Sequence, residues 1–508
     1  MQSAKLQRVQ SEPGSATAVF ELPLQAQVSR LARRGLNWSI PLLVARNVVS
    51  VAATALLARM LSPNDYGLMA MVATITVLAQ AVSDFGLSWA TVQPERLERN
   101  QIDALFLVNC AGGLFLTALC FLVAPYVAEF YRRPELTRIL CAAGGTLFLA
   151  SVAVQPNALL LRQMKLKEMN LSALFSLSVA ALAAVLAARA GLGYWALVLQ
   201  LMLQQGLTTV LAFPLSGYFP KFPQQGLNIR ALLTFGGFSA AYGLVNYFAR
   251  NLDNVLVGRF WGAAALGYYS RAYFLMTLPG MLVIAAFSGV LIPGLSALRK
   301  DPSRLQAGYL RAIRWISILG CSMAVGLAVT APEIVDVIYG PKWHALVPIL
   351  LWLSAASILQ PIQNTAQWLY IVAGRGKGML AMGLLVAGSA TLAFVIGIPG
   401  GPVGVARAYA VSNTLIAYPV LAMSHRACGL DIRKTIVESS PLLLCALIMG
   451  VVVSVVGKAC DTAHIELHSR LAVKVSAGIT VYLVGLKRLA PSASDELWAY
   501  LSALTSLS

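Results

Sequence analysis

Residues 104–127 read ALFLVNCAGGLFLTALCFLVAPYV, twenty-four positions without one charged side chain. At a rise of about 1.5 Å per residue, a helix of that length spans about 36 Å, more than the hydrocarbon core of a bilayer. An apolar stretch this long has no partner large enough to cover it in a water-soluble domain, so lipid is its natural solvent. The same reading repeats outward along the chain. Further spans are expected near 38–58, 66–89, 136–158, 171–190, 194–215, 231–257, 267–293, 311–331, 345–372, 379–398, 403–423, 439–457 and 471–489. With 104–127 they make fourteen. Composition agrees: of 508 residues, 58% are hydrophobic and 11% charged, and the mean hydropathy is +0.73.

The expected fold class is therefore an all-α polytopic membrane protein, with about fourteen transmembrane helices in two six-helix bundles plus two C-terminal helices. The expected boundaries are a cytoplasmic, disordered tail over 1–35, an N-terminal bundle over 36–225 and a C-terminal bundle over 226–425. The two added helices and a tail then occupy 426–508. The polar start, with Glu12 and Glu21 ahead of the first apolar run, does not read as a cleaved leader. The net charge of +18 is spread as short clusters between apolar runs rather than gathered on one domain. That pattern sets orientation in a membrane and does not call for nucleic acid. Basic residues in the termini and even-numbered links outnumber those in odd-numbered links roughly two to one, which places both termini in the cytoplasm. None of the seven cysteines forms a CxxC pair, and no disulfide or zinc framework is expected.

Enzyme signatures are missing: there is no DxD pair, GxSxG or P-loop. His464 and His468 flank Glu466 without a third ligand nearby, so no metal site is assigned. What remains are polar stripes in otherwise apolar helices. Arg46, Ser50 and Thr54 fall on one face of the first span, with Asn47 beside them. Thr76, Gln80, Asp84 and Ser88 do the same in the second. Tyr242, Asn246, Arg250 and Asn254 line the seventh with Asp253 alongside, and Gln360, Gln363, Asn364 and Gln367 cluster on the tenth. An arginine facing lipid at mid-bilayer costs at least about 2.5 kcal/mol, so these faces should turn inward or towards water. One reading makes them hydrogen-bonding glue between helices, with Arg46–Asp84 or Arg250–Asp253 ion pairs. The other makes them a basic cavity for an anion, since guanidinium matches phosphate oxygens in pairs. On the second reading the candidate substrate-binding residues are Arg46, Asn47, Ser50, Gln80, Asp84, Tyr242, Asn246, Arg250, Asp253 and Gln363, with no catalytic and no metal-binding residue. Pro279, Pro293 and Pro361 mark expected bends.

A weak internal repeat is present. Ala45-Arg46-Asn47 recurs as Ala249-Arg250-Asn251, and Leu61 through Tyr66-Gly67 is echoed by Gly262 through Gly267-Tyr268. Parallel repeats of this kind are common in transporters, with the site between the halves.

These segments also carry a family resemblance. ARMLSPNDYG at 58–67 is followed by Asp84-Phe85-Gly86-Leu87, Gly193-Tyr194-Trp195-Ala196-Leu197 and Asn251-Leu252-Asp253-Asn254. Gly267-Tyr268-Tyr269, Gly340-Pro341-Lys342-Trp343 and Gly374-Arg375 complete the series. In this order the chain resembles the Wzx-type polysaccharide flippases of the MOP exporter superfamily, in the colanic-acid-exporter-like subgroup. The resemblance implies flipping of an undecaprenyl-diphosphate-linked oligosaccharide from the cytoplasmic to the periplasmic leaflet of a bacterial inner membrane. It also implies two lobes around a cavity, no cofactor beyond a coupling proton or sodium ion, and a polysaccharide polymerase and export machinery as partners. The rivals are a multidrug or metabolite exporter of the same superfamily, which would want buried acids in the opening helices, and a glycan polymerase or ligase, which would want a long outer loop.

Overall fold

The computed structural model describes residues 19–21, 25–83, 91, 96–221 and 230–505. They are almost wholly helical, apart from a short antiparallel ribbon between Val19–Glu21 and Arg96–Glu98. In chain order the helices are α1 (Gln25–Met60), α2 (Pro63–Ser83), α3 (Arg99–Tyr131), α4 (Glu135–Arg162), α5 (Leu166–Arg189) and α6 (Trp195–Ser216). The helical run Arg230–Ala297 is broken at Gly262, whose backbone (φ 80°, ψ −179°) is not helical, giving α7 (230–261) and α8 (263–297). Then come α9 (Pro302–Val329), α10 (Ala331–Ile338), a 3-10 turn (Pro341–Leu346), α11 (Val347–Ser357) and α12 (Gln360–Ala373). The chain closes with α13 (Gly376–Gly397), α14 (Gly401–Cys428), α15 (Ile432–Thr462), α16 (Leu467–Leu489) and α17 (Pro491–Thr505).

Among the described residues nine helices are long and apolar enough to cross a membrane, and ten if the bent pair Pro341–Ser357 and Gln360–Ala373 counts as one span. Fourteen would further require α2, α7 and α8 as spans, and α13 and α14 counted apart. The pair bends by 42°. Pro361 sits in the first turn of α12, where its missing N–H costs no helical bond, so it starts a helix rather than kinking one.

The links are short because the ends are capped locally. Asp301 accepts from the amides of Ser303 and Arg304 and starts α9, with Pro302 in its first turn. Asp431 accepts from the Arg433 amide and starts α15. At the head of α3 the Glu98 amide donates to the Gln101 side chain at 3.2 Å.

The chain forms two compact units. Unit 1 contains the chain to Met60 and Val72–Tyr247; unit 2 contains Leu61–Met71 and the chain from Phe248. In unit 1, α3 packs on α4, α4 and α5 on α6, and α1 on α5. Its interior includes Ile102, Phe106, Leu159 and Tyr218. In unit 2, α9 packs on α11, α12 and α15, α14 on α11, α12 and α13, and α16 on α15. Its large apolar core draws Tyr309, Ile313, Cys321, Leu369, Met449 and Tyr482 from four helices, α9, α12, α15 and α16. α15 and α16 are thus built into the core of unit 2.

Candidate functional site

On α1, the 20-residue apolar stretch Pro41–Met60 carries Arg46 and no acid. Arg46 is exposed and makes no hydrogen bond or ion pair with a described residue. Ser50, one turn on, is half-buried. Asn47 turns its amide back to the Leu43 carbonyl at 2.9 Å, so that donor is spent within the helix. On α2, Thr76 is buried and donates to the Val72 carbonyl, while Gln80 is half-buried. Asp84 lies outside the described residues, as do the side chains of Tyr242, Asn246 and Arg250.

In unit 2 the polar residues converge on a different arrangement. Asp253, near the end of α7, is 1% exposed. It accepts from the Tyr269 hydroxyl of α8 at 2.9 Å and from the Asn254 amide at 2.8 Å. Tyr269 stacks on Tyr273, with ring centroids 6.5 Å apart. The break at Gly262 folds α8 back along α7 and so lets residues 16 apart meet. Gln360 reaches the Tyr409 hydroxyl at 3.4 Å, and Gln363 donates to the Asn413 carbonyl at 2.7 Å. Asn413 in turn donates to the Ala356 carbonyl at 2.8 Å. Gln363 therefore bonds α12 to α14, whereas Asn364 and Gln367, one turn and two turns beyond Gln360, stand exposed.

Two cations join the candidate set that the sequence analysis did not single out. Arg271 of α8 lies over the rings of Tyr66 (4.8 Å) and Phe274 (5.4 Å), with no carboxylate partner among the described residues. Arg407 of α14 is exposed and likewise has no ion pair there. The available signal was a lone basic residue in or beside an apolar helix, the one that marked Arg46. Arg271 follows the glycine–tyrosine segment rather than a polar stripe, so no polar periodicity marks it.

Other charges are neutralised where they stand. Lys474, which interrupts the last apolar span, points at Glu333 of α10 (2.7 Å) and at the Val329 carbonyl (3.0 Å). Arg470 joins the same carboxylate at 2.6 Å and also pairs with Asp461. Glu333 is fully buried, so the pair attaches α16 to α10 by a desolvated contact. On the α9 side of unit 2, Arg314 bridges Glu438 (2.6 Å) and Glu496 (2.9 Å) and pins α17 against α9 and α15. In unit 1, Asp103 accepts from the Tyr218 hydroxyl at 2.7 Å and the Lys221 amide at 3.2 Å. Burial, then that carboxylate, pushes the Tyr218 phenol far above its usual range. Among the described residues, Arg46, Arg271 and Arg407 are basic residues of the helices left without a carboxylate partner.

The family model described as "Polysaccharide biosynthesis protein" matches residues 56–348. The teichuronic acid biosynthesis protein TuaB of Bacillus subtilis (strain 168) is 27% identical over 487 residues, 92% of this chain and 98% of that protein. The lipopolysaccharide biosynthesis protein WzxC of Escherichia coli (strain K12) is 24% identical over 434 residues, 82% of this chain and 87% of that protein. Among solved structures, the lipid II flippase MurJ in an inward closed conformation superposes with a TM-score of 0.72 at 15% identity, over 89% of this chain and 98% of that one. That likeness shows a shared fold. Matched over more than half its length, and in segments that include Tyr66-Gly67, Gly267-Tyr268 and Lys342-Trp343, the chain belongs to the polysaccharide biosynthesis protein family.

Proposed function

We propose that this chain flips an undecaprenyl-diphosphate-linked oligosaccharide repeat unit from the cytoplasmic to the periplasmic leaflet, for the building of a surface polysaccharide. The observation that carries the reading is Arg46: an exposed guanidinium, without a hydrogen-bond or ion-pair partner among the described residues, on an apolar helix that holds no acid. Such a charge is costly in lipid and useful opposite a diphosphate. The relatives' names, for teichuronic acid and lipopolysaccharide biosynthesis, and the fold shared with a lipid II flippase support the same substrate class. In this reading Arg46, with Arg250, Arg271 and Arg407, attracts the diphosphate. Asn47, Ser50, Gln80, Asp84, Tyr242, Asn246, Asp253 and Gln363 supply hydrogen bonds to sugars or order the helices that do. The prenyl tail stays in lipid.

The polypeptide resides in the bacterial inner membrane, with fourteen passes and both termini cytoplasmic. Support comes from unit 2, where alternate links carry Arg299, Lys300 and Arg304, then Arg375 and Lys377, then Arg433 and Lys434. A proton or sodium ion drives the step, and a polymerase and export machinery receive the product. The test is deletion in the source bacterium followed by analysis of lipid-linked intermediates. Oligosaccharide accumulating on the cytoplasmic leaflet, restored by the intact protein and not by Arg46→Ala, is the expected result. Normal surface glycan in the deletion strain sinks the proposal.

A further inference from the structure

α12 lies at membrane depth as the second half of the bent pair with α11. Its buried face is mainly apolar: Ile362, Ala366, Leu369 and Tyr370 belong to the core of unit 2. Of its 14 residues only Asn364, Gln367 and Ile371 are exposed, at a spacing that puts them on one face. Asn364 and Gln367 stand well inside the helix, about 14 and 9 Å along its axis from the end at Ala373. Gln360 and Gln363 spend their amides on Tyr409 and Asn413. Asn364 and Gln367 have no hydrogen bond among the described residues.

The exposed faces of two other spans of unit 2 are of the lipid kind. Leu384, Leu392 and Ile396 of α13 and Leu444, Val451 and Val455 of α15 are all exposed and apolar. A carboxamide among acyl chains would have donors and an acceptor with no partner, which hydrocarbon penalises heavily. The exposed stripe of α12 therefore meets water or a polar ligand, not lipid. Its chemistry narrows the ligand. A phosphate asks for donors and charge, and a cation for acceptors, whereas an uncharged carboxamide carries donors and an acceptor together. That set matches groups that both donate and accept, the hydroxyls of a sugar. The stripe is also braced. Gln363 ties α12 to the Asn413 carbonyl of α14, and Asn413 ties α14 to the Ala356 carbonyl of α11. Two amides held side by side on a braced helix can be selective, because little ordering is left to be done on binding.

We propose that Asn364 and Gln367 form a sugar-reading subsite of unit 2, which takes hydroxyls of a neutral ring in the glycan and so selects among lipid-linked oligosaccharides. The ligand rests on the flipping reading; the water-facing stripe does not. With the seven native cysteines replaced and the protein in lipid nanodiscs, Gln367→Cys should react with a charged methanethiosulfonate at least tenfold faster than Leu384→Cys. Equal rates put the stripe against lipid and overturn the subsite whatever the substrate. Prenyl-diphosphate oligosaccharide from the source bacterium should slow Gln367→Cys labelling at least threefold, and prenyl diphosphate without sugars should not. Equal protection by the two lipids, or none by either, overturns the sugar assignment. In proteoliposomes, Asn364→Ala/Gln367→Ala should keep the unfolding midpoint. It should lower flipping of the oligosaccharide lipid at least tenfold relative to flipping of the same prenyl diphosphate carrying one sugar. A loss shared equally by both lipids, or no loss, overturns the selectivity. If the intact protein flips neither lipid, the flipping reading fails by itself, and the labelling rates alone decide the subsite.

Discussion

Arg46 and Lys474 are both basic residues in apolar helices, and their surroundings give them opposite roles. Lys474 is held by a buried glutamate, so its charge is structural. Removing Lys474 leaves the buried Glu333 carboxylate with Arg470 as its remaining cation, and the loss of one buried ionic contact costs stability. Lys474→Met should accordingly lower the thermal unfolding midpoint in detergent, while Glu333→Leu/Lys474→Met recovers much of the loss; simple additivity of the two single changes would contradict the pairing. Arg46 has no such partner among the described residues, so Arg46→Ala should leave the midpoint unmoved. It should lower flipping by about tenfold or more, the worth of one charge-assisted hydrogen bond to a phosphate. Arg46→Lys should recover part of the rate, because a lysine supplies charge without the paired donors. A fall in stability as large as the fall in rate would make Arg46 a packing residue.

Helix ends and breaks set where these charges stand. Gly262 holds φ at 80°, and no atom lies within 4 Å of where a side chain would begin, so the penalty for replacing it is one of backbone alone. Gly262→Ala should cost about 1–3 kcal/mol, because φ 80° with ψ −179° is a region essentially confined to glycine, and Gly262→Asn should cost as much. The reading is the unfolding midpoint, together with fluorescence of Trp261, whose indole donates to the Ile398 carbonyl beside the break. At the head of α9, the Ser303 hydroxyl and then the Arg304 amide hold the Asp301 carboxylate below its usual range. A lowered carboxylate stabilises the fold above its unfolded value near 4 and loses that contribution as pH falls through the folded value. Amide exchange at 303–305, corrected for intrinsic rates, should therefore stay flat from pH 8 to pH 5 and quicken only below about 4. Asp301→Asn should keep the cap and abolish the pH dependence, whereas Asp301→Ala should fray the turn at every pH.

At the scale of the molecule, the basic links of unit 2 alternate with links poor in Lys and Arg, such as 398–400 between α13 and α14. Fluorescent-protein fusions after residues 300 and 429 should glow, and alkaline-phosphatase fusions after 400 and 464 should be active. The reverse pattern would invert the orientation and with it the direction of transport. The placement of α15 and α16 in the core of unit 2 also implies that truncation after Cys428 removes stability, since Met449 and Tyr482 pack among the residues of α9, α12 and α14.

Periodicity and composition alone settled that this is a helical membrane protein with many passes, because a run such as 104–127 has one physical home. The family was also legible, since its short segments keep their order along the chain. Pairing was not legible. Lys474 looked like a flaw in the last span until Glu333, 141 residues away, came beside it, and no local pattern announces so distant a partner. Gln363 and Asn413 bond α12 to α14 for the same reason, and Arg271 became a candidate only when Tyr66 and Phe274 were found around it. Likewise, the sequence showed two glycine–tyrosine echoes, and only the fold set Gly67 against Ala263 and Gly267 against Pro63. Burial in lipid is dictated by each segment's own side chains, whereas neutralising a charge or admitting a close crossing depends on which distant segment arrives beside it.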